Sequence, residues 1–161
     1  MLQRYIRYDK TLDLINKGEK MGLDQHAHLR GEQIDWQKYY SDDNDDQENI
    51  FVWRKHARLQ QFMAKKWAEQ NPAENIEGHL AHLGFNADQE APCYMTEEVV
   101  KDLAEAISND FKDYEATDGF FWGQQFQEES VKEYKEQDIK FLKFCEQAIN
   151  EKKVVEYWCS W

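Results

Sequence analysis

The chain has 161 residues, 14% of them aromatic, with a net charge of −12. That length suits one domain with a core of its own, and the charge argues against a protein that coats nucleic acid nonspecifically. Three scattered cysteines, Cys93, Cys145 and Cys159, form no CxxC and argue against a disulfide scaffold. The first residues have charges but no apolar leader, and no apolar run approaches a membrane span. The expectation is a soluble protein of the cytoplasm.

Residues 1–20 carry a short helical pattern and end near Gly18, an N-terminal extension to a single domain at 21–161. Residues 21–30 alternate as a strand, with Leu23, Gln25, Ala27 and Leu29 on one face and His26 and His28 on the other. Two histidines at that spacing suit a metal, but a third ligand is not evident, so a surface pair is expected. The run 41–49 holds five acids and reads as a solvated loop. Asp42, Asn44 and Asp46 start a calcium-loop spacing, which lacks glycine at its sixth place and glutamate at its twelfth.

The longest apolar-periodic run of the first two thirds is 50–70. At about 100° per residue, Val52, Trp53, Leu59, Met63, Ala64 and Trp67 share one face, while Arg54, Arg58, Gln61 and Lys65 oppose them. This predicts one amphipathic helix. His56 and Gln60 fall inside the apolar face. Either they satisfy each other in the core, or the face stays open and they line a pocket beside the two tryptophans.

Asn71, Pro72 and Glu74 predict the start of another helix, ending at Gly84 and carrying His79 and His82. Cys93 to Met95 reads as a short strand, and Thr96 caps a helix to about Asn109. Ser130 and Glu133 predict a capping box opening a last helix from Val131 to about Asn150. The end alternates as a strand with Val155, Tyr157, Cys159 and Trp161 on one face. The two outer strands are expected to pair, with helices on one side of a small sheet, an α+β fold.

In Gly119-Phe120-Phe121-Trp122-Gly123, two glycines bracket three aromatics. Such a turn can drop its rings into the core, or it can offer them to a planar ligand. No nucleophile constellation, phosphate loop or metalloprotease motif stands out, which lowers the odds of catalysis. No cofactor or metal is expected.

Met21-Gly22-Leu23-Asp24, Trp53-Arg54-Lys55-His56 with Arg58-Leu59-Gln60, the Gly119–Gly123 run and a Tyr157, Ser160, Trp161 ending form an ordered set. Together they resemble a group of small uncharacterised bacteriophage and prophage proteins whose motifs read MGLDxY, YWRKHN, GFFFG and YxSSW. The resemblance covers residues 21–161. This chain departs from it with Val52, Ala57, Phe62 and Cys159 where the family has Tyr, Asn, Trp and Ser. The resemblance implies a phage origin and a set of residues, with the central helix meeting the Gly119–Gly123 turn. It implies no mechanism.

The expected function is that of a noncatalytic phage accessory protein in host takeover or counter-defence. Its expected site comprises Trp53, Arg54, Lys55, His56, Gln60, Gly119, Phe120, Phe121, Trp122, Gly123, Tyr157 and Trp161. There, cations would hold the phosphate of a small anionic aromatic ligand such as a nucleotide, and a ring would stack on its base. The alternative is an acidic inhibitor of a basic host protein, acting as a nucleic-acid mimic. An enzyme of unknown reaction stands third, and a homo-oligomer is left open.

Overall fold

The computed structural model describes residues 22–32, 49–72, 92–116 and 123–160. The fold is α+β. Four short strands form one antiparallel sheet, and among the described residues four α-helices accompany it. In chain order these are β1 (Asp24–Leu29), β2 (Phe51–Arg54), α1 (Ala57–Gln70), β3 (Cys93–Tyr94), α2 (Glu97–Ser108), α3 (Gln127–Glu133), α4 (Lys135–Asn150) and β4 (Val155–Ser160).

The sheet order is β2-β1-β4-β3. As the alternation of both segments predicts, the N-terminal and C-terminal strands pair at its centre, with Asp24 opposite Ser160 and Leu29 opposite Val155. Register then decides what each face carries. Gln25 lies beside Trp53 and Cys159, and Ala27 beside Phe51 and Tyr157. These side chains turn towards the helices. Phe141 of α4 packs edge-on to Trp53 at 5.0 Å and tilts against Phe51 at 5.1 Å.

The opposite face carries His26, His28 and Glu156. The two histidine rings stack at 5.6 Å, but both are buried, which corrects the expected surface pair. No group of three metal-ligating side chains exists among the described residues. Nor is any helix among them long and apolar enough to cross a membrane.

The helix predicted over 50–70 is in fact two elements. Phe51–Arg54 are β2, with Trp53 buried and Arg54 exposed. Lys55 then adopts a left-handed conformation (φ 56°), and the helix begins at Ala57 with His56 as its N-cap. A run as short as Phe51–Arg54 fits either period, and its pairing with β1 decides the outcome.

The predicted basic solvent face is also only partly so. Arg58 is buried, donating from Nε to Gln127 Oε1 (3.1 Å) and from Nη1 to the Asp110 carbonyl (3.1 Å). Asn71 closes α1, where its side chain donates back to the Trp67 carbonyl at 2.9 Å.

α2 starts where predicted: Thr96 Oγ1 accepts from the Val99 N–H, and Val99, Val100, Leu103, Ala106 and Ile107 form its buried stripe. The predicted last helix is corrected. Ser130 lies inside α3 rather than capping a helix, and a break at Tyr134 separates α3 from α4. The extension 1–20, the acidic run 41–49 up to residue 48, His79 and His82 lie outside the described residues.

Candidate functional site

The segment Val52 to His56 passes between the sheet and the α3–α4 break, and each of its residues is hydrogen-bonded there. Gln137 Nε2 donates to the Val52 carbonyl (2.6 Å). Trp53 Nε1 donates to Asp138 Oδ1 (2.8 Å). The Tyr134 hydroxyl accepts from the Arg54 N–H (3.1 Å) and donates to the Arg54 carbonyl (3.3 Å). Ser130 Oγ donates to the Lys55 carbonyl (3.2 Å). His56 Nε2 meets Asp138 Oδ2 at 2.9 Å. A stretch between a strand and a helix leaves many backbone groups unpaired, and α3 and α4 satisfy them.

His56 uses both ring nitrogens. Nδ1 accepts from the Leu59 N–H, a helix-capping bond, so the ring proton sits on Nε2 and is donated to Asp138. Tyr134 stacks on the imidazole at 5.4 Å and an interplanar angle of 12°, and Phe111 meets it edge-on. The ring has no exposure to solvent.

Gln60 has other partners. Tyr157 donates its hydroxyl to Gln60 Oε1 (2.8 Å), and Gln60 Nε2 lies 3.3 Å from Cys159 Sγ. Gln25 links the two halves. Its Nε2 donates to Tyr157 Oη (2.7 Å) and the His56 carbonyl (3.1 Å), and its Oε1 accepts from the His56 N–H (2.9 Å). The expected direct pairing of His56 with Gln60 is therefore replaced by a chain through Gln25 and Tyr157, with Asp138 as the ring's partner. Burial drives the Tyr157 phenol well above its usual range, so it stays a donor.

The expected site thus divides. Trp53, His56, Gln60 and Tyr157 are wholly buried in one polar network. Arg54 is half-exposed and lies 3.9 Å from Asp24, and Lys55 is partly exposed at the junction. Ala57, which opens α1, is itself fully buried.

Gly123 sits against Lys55. Its φ of 80° suits glycine, and a Cβ there would lie 2.8 Å from Lys55 Cβ and 3.2 Å from the Lys55 carbonyl. Gly123, the last residue of the glycine-aromatic run, thus meets the β2–α1 junction at Lys55. Gly119, Phe120, Phe121, Trp122 and Trp161 lie outside the described residues.

Three contributors were not singled out from the sequence. Asp138 had a visible signal, since it falls with Tyr134, Phe141 and Cys145 on the core stripe of the last helix, a carboxylate among apolar residues. Gln25 had a similar one, an amide in an inward alternation. Gln127 had none. It is buried, accepts from the Ala116 N–H (2.9 Å) and donates to the Ala116 carbonyl (3.0 Å), a bond pair that only tertiary structure reveals. No protein-family model, no curated protein and no solved structure matches the chain.

Proposed function

We propose that the protein is a noncatalytic bacteriophage accessory protein, acting in host takeover or counter-defence, that binds a small anionic aromatic ligand of the nucleotide kind at the β2–α1 junction. The observation that carries this reading is the contact of Gly123 with Lys55. Two residues in left-handed conformations lie against each other, and Arg54, next to Lys55 in the chain, has a half-exposed guanidinium. Strained backbone held by surrounding structure is common where a ligand is recognised. Arg54 and Lys55 would hold the phosphate, and the aromatic run preceding Gly123 would supply the stacking ring.

In this reading Trp53, His56, Gln60 and Tyr157 support the junction and do not touch the ligand. The occupied ring nitrogens of His56 favour binding over catalysis, because neither is available to take a substrate proton.

The second reading, an acidic inhibitor of a basic host protein, is favoured by the α3–α4 surface, where Glu128, Glu129, Glu133 and Glu136 are all exposed. Thermal shift against mono-, di- and cyclic nucleotides separates the two. A nucleotide at 100 times its dissociation constant should stabilise the native state by about 2.7 kcal/mol, and Arg54→Ala should remove the effect. The absence of a shift with every nucleotide would overturn the nucleotide reading.

A further inference from the structure

At the far end of β1 from Arg54, the strand passes into a turn at Arg30 and Gly31. This turn faces the one joining α4 to β4, and the two enclose a cleft of about 450 Å³. Arg30, Lys152 and Lys153 line it with one carboxylate, Glu32, while Glu156 and Glu151 pair with Arg30 and Lys153 from beside the cleft. Leu29 and the exposed Val154 give it an apolar wall. Among the described residues, a Cβ added at Gly31 would meet nothing within 4 Å.

Two features go beyond ordinary surface lysines. First, Arg30 is held in place from outside. Its Nε lies 3.6 Å from Glu156, its guanidinium carbon lies 5.8 Å from the Tyr94 ring centroid, and its N–H donates to the Val154 carbonyl at 2.8 Å. The side chain is nevertheless 64% exposed. A fixed guanidinium loses little freedom on binding an oxyanion.

Second, Lys152 occupies the position just past α4 where the chain turns left-handed (φ 58°). The Lys153 N–H donates to the Ala148 carbonyl and the Lys152 N–H to the Ile149 carbonyl, the pattern that usually places glycine there. The negative end of the α4 dipole rationalises one lysine after the helix. It does not rationalise a lysine at the position that penalises a side chain. Lys152 has no ion pair among the described residues, whereas Lys153 pairs with Glu151 at 3.1 Å.

We propose that this cleft is a second binding site, distinct from the β2–α1 junction, and that it takes a small phosphorylated anion through Arg30, Lys152 and Lys153. The overall negative charge repels such an anion at long range, so binding relies on short-range, charge-assisted hydrogen bonds.

Inorganic pyrophosphate is the probe, and amide chemical shifts of the isotope-labelled full chain are the readout, because they report where it binds. The expected result is a saturable shift of the Gly31, Glu32, Lys152 and Lys153 amides. It should weaken at least about tenfold in Arg30→Gln/Lys153→Gln and persist in Arg54→Gln. Lys152→Gly should raise the melting temperature while weakening pyrophosphate binding, a pairing that a purely structural lysine would not give. Failure of these amides to shift in the wild-type protein would overturn the proposal. So would equal binding by a folded Arg30→Gln/Lys153→Gln variant. Neither result bears on nucleotide binding at Arg54.

Discussion

Asp138 is the residue on which the buried network depends, because it alone accepts from both the Trp53 indole and the His56 ring. Asp138→Ala strands two buried donors at about 1–3 kcal/mol each, so a loss of about 2–6 kcal/mol is expected in urea unfolding. Asp138→Asn should cost less, since the amide oxygen still accepts one bond while its NH2 faces the other donor. A loss below about 1 kcal/mol for Asp138→Ala would mean that solvent reaches these donors. The sequence flagged His56 and Gln60 correctly as polar residues on an apolar face. It could not give their partners, because Asp138 and Tyr157 lie 82 and 97 residues further on. A buried polar side chain announces a need for a partner, and only the fold names it.

At the level of elements, the break between β2 and α1 is the feature that local pattern hid. Val52 and Trp53 fit a helical face, but Phe51 and Trp53 equally fit an inward alternation, and four residues do not discriminate. What decides is the hydrogen bonding of β1 on one side and of Ser130, Tyr134 and Gln137 on the other. The break brings Lys55 against Gly123, and that contact can be measured. Gly123→Ala should destabilise by at least about 1–2 kcal/mol, the ordinary cost of a left-handed non-glycine residue, with the crowding by Lys55 added to it. Lys55→Gly removes the Cβ that the new methyl would strike. The Gly123→Ala penalty should therefore shrink in the Lys55→Gly background, which a double-mutant cycle on melting or urea midpoints would detect. Strict additivity would mean that the two backbones have room to separate. The capping-box reading of Ser130 failed for a related reason: its hydroxyl satisfies a carbonyl of the junction, so the side chain serves tertiary structure and not its own helix.

Over the whole molecule, the pairing of first and last strands was legible from alternation alone, because burial of one sheet face fixes register. The core between this sheet and the helices buries groups that make stability depend on alkaline pH. Burial pushes the Cys93 and Cys145 thiols and the Tyr157 phenol upward, so all three stay protonated in the native state. In the unfolded chain the thiols release their protons near 9.0 and the phenol near 10.0. Above those values the unfolded state binds fewer protons than the native state, so the unfolding free energy falls as pH rises. Each group contributes a slope of up to about 1.4 kcal/mol per pH unit once its unfolded form has titrated. This stabilisation is complete below pH 9 and is lost progressively above it. Lys66 acts in the same direction: its burial lowers its affinity for a proton, but Asp102 and Glu69 outweigh that and leave it raised. The surface carboxylates Asp110 and Glu151 act at the other end of the scale. Lys135 lowers the first and Gln147 the second, so their smaller stabilisation is lost only as pH falls through the acid range. Urea midpoints followed by tryptophan fluorescence should hold steady from pH 7 to 8.5 and then drop steeply. Cys145→Ala should be less stable at pH 7, because it leaves a cavity in the core, yet its decline above pH 9 should be shallower by the share of one thiol. If the variant's decline instead parallels the wild type, Cys145 ionises as freely in the native core as in the unfolded chain, and the interior beside α4 is not closed to hydroxide.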